Sequence, residues 1–201
     1  MDLRRDSNGF NYSDFYMIRN AMLKGAFELG KKEAIFTEDI IKGKKPEKPI
    51  IFQYYKGSRK KDIINGGLSV YLISNEFIKV LEENQFIGWD TFPMEAYDKE
   101  GKTIEGYYGL FITGQCGKID TSLSKIENRP SPIGRMRPVY VGYCFDPDSW
   151  DGSDIFTAEG YNGIIISKKV KEALEKSDLK INNVEFKSLM DFEKRVPKDK
   201  M

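Results

Sequence analysis

Histidine is absent from all 201 residues. Its absence removes imidazole bases, Ser–His and Cys–His nucleophile pairs, and histidine metal sites. Any catalysis has to rest on carboxylates, lysine, tyrosine or a cysteine without imidazole. Cysteine is scarce as well: Cys116 and Cys144 are the only two, and they form no motif. Both lie in strand-like segments. Two reduced, buried thiols suit a cytoplasmic protein, with a single disulfide as the alternative. No apolar run reaches the roughly 18 residues of a membrane span. The start, MDLRRDSNGFNYSDFYMI, lacks the long apolar stretch of a secretory signal. A cytoplasmic location without membrane contact is therefore expected. There is no CxxC, no GxSxG and no zinc spacing, and the glycines of GYYGLFITGQCG follow neither phosphate-loop nor dinucleotide spacing. Neither a cofactor nor a metal is expected.

What is present is enough apolar material for a sizeable core, 40% hydrophobic and 13% aromatic residues, in a length that suits one medium domain. The net charge of +1 conceals an asymmetry. Residues 1–70 carry 14 Lys and Arg against 9 Asp and Glu, whereas residues 71–201 carry 18 against 22. The basic loops around Lys42–Lys48 and Lys56–Lys61 lack the interleaved aromatics that stack bases. They read as solvated loops, and nucleic acid is not expected as a partner.

The chain also repeats a pattern. YLISNEFIKVLEENQFIGWDTF at 71–92 and IIISKKVKEALEKSDLKINNVEF at 164–186 align from Ser74 and Ser167. Each has an apolar run, a serine, a short amphipathic helix and a strand-like tail ending in Phe92 or Phe186. The serine suits the cap of a helix, and apolar residues at i, i+3 and i+4 make one buried stripe. Val80, Leu81, Val170 and Leu174 are the expected core positions. Two explanations stand: an internal duplication, or the frequent recurrence of this pattern in α+β proteins. With two copies it is not a solenoid.

Along the chain, 13–29 reads as an amphipathic helix with Phe15, Ile18, Met22 and Phe27 inward, although its aromatic start also suits a strand. Strands are expected at 50–55, 86–96, 107–113, 138–145, 155–157 and 183–189, and helices at 75–84 and 168–176. The strands at 86–96 and 107–113 suggest a hairpin. ENRPSPIG, inside 114–137, is the strongest breaker and makes that segment irregular. The last residues, EKRVPKDKM, read as a frayed tail. The expected fold is α+β: mostly antiparallel strands with a few short amphipathic helices, in one domain with two related halves, about 50–113 and 138–190.

From Pro138 to Ser167 there are five acids, six aromatics and no Lys or Arg. Asp146, Asp148, Asp151 and Asp154 surround Trp150. A calcium loop of the EF-hand type needs ligands at positions 1, 3 and 5, Gly at 6 and Glu at 12. Counted from Asp146, position 5 is Trp150, Gly152 comes one late and position 12 is Thr157, so the register fails. The remaining readings are an Asp/Gly turn between strands, or a carboxylate face with Trp150, Phe156 and Tyr161 as anchors for a basic partner. The candidate partner-binding residues are Asp146, Asp148, Trp150, Asp151 and Asp154. No catalytic residue is assigned.

VYLISNEFIKVLEENQFIGWDTFPME, YYGLFITGQCGKIDTSLS and GIIISKKVKEALEKSDLKINNVEF together resemble the predicted immunity proteins of bacterial polymorphic toxin systems, in particular the family numbered eleven. The resemblance covers roughly 50–190, and the first 45 residues match nothing in it. It implies an α+β fold, a cytoplasmic bacterial location, a cognate toxin domain as protein partner and a non-enzymatic role in neutralising it. It transfers no catalytic residue. Two other classes remain open: a small enzyme with a carboxylate-lined site near Asp146–Asp154, and a regulatory interaction module.

Overall fold

The computed structural model describes residues 10–20, 25–31, 40, 44–59, 61–66, 70–132, 134–161 and 163–197. Strands dominate. They are β1 (Phe15–Asn20), β2 (Glu28–Lys31), β3 (Ile50–Lys56), β4 (Ile63–Asn65), β5 (Tyr71–Ser74), β6 (Trp89–Phe92), β7 (Met94–Tyr97) and β8 (Tyr107–Ile112), then β9 (Gly114–Cys116), β10 (Lys125–Pro130), β11 (Met136–Val141), β12 (Ile155–Ala158), β13 (Ile164–Ser167), β14 (Val184–Ser188) and β15 (Glu193–Arg195). Helix α1 (Asn75–Glu83) follows β5, and α2 (Lys168–Lys176) follows β13. The strands form sheets of order β4-β5-β8-β6, β14-β1-β13-β12-β9, β2-β3-β7 and β10-β11-β15. Among the described residues, β3 with β7 and β9 with β12 pair in parallel, and the other pairings are antiparallel. The fold is α+β with a strong bias to β.

Both helices form where the 3.6-residue pattern places them. Val80, Leu81, Val170 and Leu174 are buried, as expected, together with Phe77. They share one core with Ile18, Ile63, Ile73, Leu110, Ile155 and Ile166, so α1 and α2 pack over the two largest sheets. The two serines differ in use. The Ser74 Oγ accepts the Phe77 amide at 3.1 Å and caps α1. Ser167 makes no side-chain cap; its hydroxyl donates to Asp154 Oδ1 at 3.2 Å.

Several expectations are corrected. The segment 13–29 is not a helix: a 3-10 turn at Tyr12–Asp14 leads into β1, and β2 follows. β1 lies between β13 and β14, and pairing on both edges with Phe15, Met17 and Ile18 buried outweighs its weak helical pattern. Phe27 is half-buried, and Met22 lies outside the described residues. The stretch 86–96 divides at Pro93, which has no N–H for a ladder. β6 pairs with β8, so that part of the expected hairpin forms, but β7 crosses to β3.

The segment 114–137 is not irregular. It holds β9, β10 and the start of β11: residues 127–130 of ENRPSPIG lie in β10, the Ser131 amide donates to Arg135 O at 2.8 Å, and Gly134 sits at φ +77°. The tail is not frayed at its start, because β15 pairs with β11 and Val196 is buried. Residues 198–201 lie outside the described residues. Lys61, read as part of a solvated loop, is buried. Burial holds its ammonium below the usual lysine range, with Glu28 opposing that shift.

Cys116 and Cys144 are free and buried. Burial, with Asp151 beside Cys116 and Asp120 near Cys144, pushes the thiols up to about 12 and about 11 from 9.0. Between these values and 9.0 the folded chain keeps protons that the unfolded chain releases, so stability falls as pH rises above about 9. Native protein should resist iodoacetamide at pH 8, and both thiols should react once it is unfolded. Rapid labelling of the native protein would show that the thiols are accessible.

Candidate protein-binding surface

β11 ends at Val141 rather than continuing to 145 as expected, and the acidic loop leads from the isolated bridge at Phe145 to β12. Asp146 starts a 3-10 turn at Pro147–Ser149, and its Oδ1 accepts the Asp148 amide at 3.1 Å. The Ser149 hydroxyl donates to Asp146 O at 2.5 Å and accepts the Gly117 amide at 2.8 Å, which ties the loop to the end of β9. Asp151 accepts the Gln115 amide at 2.8 Å through Oδ2 and the Ser153 amide at 3.0 Å through Oδ1. Partial burial pushes the Asp151 carboxyl up, but the Ser153 hydroxyl and these amides together outweigh it and hold the carboxyl below its ordinary value.

The five sequence candidates thus divide by environment. Asp146, Asp148 and Asp151 are exposed at neighbouring points of one loop. Trp150 is half-buried: its ring stands edge-on to Phe15 with centroids 5.2 Å apart and 5.7 Å from Phe156, and its Nε1 donates to Ser153 O at 3.1 Å. Trp150 therefore anchors the loop to the core. Phe156 is fully buried and is no surface anchor, because β12 carries its side chain into the aromatic cluster under the loop. Asp154 is half-buried. Its Oδ2 accepts the Ile87 amide at 3.3 Å, its own amide donates to Ile87 O at 3.1 Å, and its Oδ1 takes the Ser167 hydroxyl.

Sequence reasoning missed the counterpart of Asp154. Asp62 Oδ1 accepts the Ser74 hydroxyl at 2.6 Å, and its Oδ2 accepts the Asn182 amide at 2.5 Å. Spacing was the available signal: Asp62 precedes Ser74 by 12 residues, and Asp154 precedes Ser167 by 13. Asp62 thus grips the loop that follows α2, and Asp154 the loop that follows α1. Among the described residues, no group of three or more Cys, Asp or Glu stands close enough to hold a metal ion, and no helix is long and apolar enough to cross a membrane.

The sequence matches the model of a known family. The match is to an immunity protein family, over residues 13–191. The chain belongs to this family, Imm11. No curated protein matches the chain.

Proposed function

We propose that this chain is an immunity protein that binds a cognate toxin domain in the cytoplasm and neutralises it by occupying it, without chemistry of its own. The family match over residues 13–191 carries this reading. The loop supports it: a proton donor at neutral pH needs a carboxyl held high, and Asp151 is held low. Such a loop suits charge complementarity better than acid–base work. Where a neighbouring gene encodes a toxic domain, co-expression with it should restore growth, and the two proteins should co-elute. Continued killing, or separate elution, rejects the reading.

The partner-facing residues are proposed to be Asp146, Asp148 and Asp151, with Trp150 and Asp154 holding the loop in shape. Exposed carboxylates speed the approach of a basic surface more than they tighten the final complex. Asp148→Lys should therefore slow association several-fold and reduce its salt dependence, while the melting temperature stays nearly constant. Stopped-flow association at two ionic strengths checks this; an unchanged rate removes the loop from the interface. Asp151→Lys is a poorer probe, because it also removes the acceptor for the Gln115 and Ser153 amides.

A duplicated origin of the chain belongs to the same reading. From β1 to β6 and from β8 to β14 the order of sheet strands and helix is the same, apart from the additional β9. Counted from β4 and from β12, the third strand of each large sheet comes from the other of these two stretches: β8 lies beside β5, and β1 beside β13. The outer strands differ, since β7 lies parallel to β3 whereas β15 lies antiparallel to β11.

A further inference from the structure

Strand register superposes one large sheet on the other residue by residue. Ser74, Ile73 and Leu72 face Tyr107, Tyr108 and Gly109, and Ser167, Ile166 and Ile165 face Phe15, Tyr16 and Met17. On the next strand, Trp89 and Thr91 face Ile112 and Leu110, and Val184 and Phe186 face Asn20 and Ile18. Tyr108 thus occupies the place of Tyr16, and Trp89 and Thr91 those of Val184 and Phe186. On the helices, counting from the two serines, Ile78 corresponds to Lys171 and Glu82 to Glu175.

In the second half, Lys171 covers this surface. Its ammonium lies 5.3 Å from the centroid of the Tyr16 ring, 5.8 Å from that of Phe186 and 2.5 Å from Glu175 Oε2. In the first half Ile78 stands at that helix position, and it has no charge to bring to Glu82. The surface there is an open groove of about 430 Å³, lined by Ile78, Lys79, Glu82, Trp89, Asp90 and Tyr108 among others. Tyr108 is 44% exposed. The aromatic lost at the Phe186 position is replaced two residues along the same strand face by Trp89, whose Nε1 is fixed on Phe86 O at 2.9 Å. Asp90 is already held by Lys45 at 2.5 Å. Lys79 stands in the place of Glu172, next to the Lys171 position rather than on it. Glu82 has no ion-pair partner among the described residues.

The geometry points to this groove as a receptor for one lysine or arginine side chain of a protein partner. The stem lies along Tyr108 and Trp89 and the charge meets Glu82, as Lys171 lies on Tyr16, Phe186 and Glu175. A cation over an aromatic face gains from the ring quadrupole, most strongly over Trp, and a carboxylate at the end of the groove fixes its direction. That the partner is a toxin rests on the proposed function; the groove's preference for a cation does not.

The first test uses the full chain with N-acetyl-lysine amide as probe and N-acetyl-norleucine amide as its neutral match, read at the Trp89 indole N–H by NMR. The lysine probe should shift that resonance saturably at millimolar concentration, and the norleucine probe should not. Glu82→Gln and Tyr108→Leu should each weaken the response about fivefold or more. Ile78→Lys, which supplies the side chain used in the other half, should abolish it while the protein stays folded. Lys171→Ile should leave the Trp89 response intact. No response, or an equal response to norleucine, overturns the proposal. The second test measures toxin affinity: Ile78→Lys should weaken it tenfold or more, and wild-type affinity in that variant overturns the assignment of the groove to the partner. If the wild-type chain itself fails to bind or neutralise the toxin, the immunity reading falls instead, and the groove is judged on the probe alone.

Discussion

Leu81→Ala and Leu174→Ala should each lower the unfolding free energy by about 2–5 kcal/mol, the range for deleting a large aliphatic side chain from a packed core. Leu81 is 0% and Leu174 2% exposed. They lie on α1 and α2, which contact each other over a shared core of isoleucines from both large sheets. A cavity at either site is therefore bordered by side chains from both large sheets. The upper part of the range is expected, because strands paired on both edges cannot collapse inward to fill the space. Urea denaturation followed by far-UV circular dichroism measures the loss. The double variant should depart from additivity, since the two sites share neighbours. A loss below about 1 kcal/mol at both positions would mean that the helices do not pack on this core.

Gly88→Ala should be at least as damaging. Gly88 sits at φ +95°, where a side chain costs about 1–3 kcal/mol in the backbone alone. A Cβ there would lie 2.0 Å from the carbonyl oxygen of Ile155 and 2.6 Å from Ser153 Cβ. The Gly88 carbonyl also accepts the amides of Thr113 and Gly114 at 3.0 Å, and its neighbour Ile87 is bound to Asp154. Three chain segments thus meet at a position with no room for a methyl group. Relieving the overlap means displacing backbone where the loop after α1 meets the start of β12, an overpacking cost of about 1–3 kcal/mol more. Gly152→Ala is the matched control. It has φ +85° with nothing within 4 Å of the added Cβ, so it carries the backbone cost alone. Thermal melts of the two variants should differ clearly, and equal melting temperatures would show that the contact with Ile155 does not constrain the fold.

Some of this was readable from one-dimensional pattern. α1 and α2 were predicted to within a residue, because a serine precedes each and Phe77, Val80, Leu81, Val170 and Leu174 repeat at helical spacing. The β-branched and aromatic runs at 50–55, 107–113 and 155–157 became strands for the same reason: periodicity is local and needs no partner to be recognised. The acidic loop was legible as a composition, four acids without a base, but its composition could not divide exposed carboxylates from structural ones. That division depends on which amides arrive from elsewhere. Gln115 reaches Asp151 across 36 residues, and Ile87 reaches Asp154 across 67.

Taken alone, the sequence determined the helices, the strands β3, β6, β8, β12 and β14, the buried stripe and the resemblance to an immunity family, all carried by spacing within short windows. Tertiary structure decided the remainder. It made β1 a central strand despite a helix-compatible pattern, because the sheet between β13 and β14 offers two hydrogen-bonded edges. It drew residues 127–130 into β10 against β11 and turned Trp150 inward against Phe15. It also set Ile78 and Lys171 in equivalent places, one beside an open groove and the other across a filled one. These outcomes depend on contacts between residues far apart in the chain, and the free energy of such contacts exists only once both partners have been brought together.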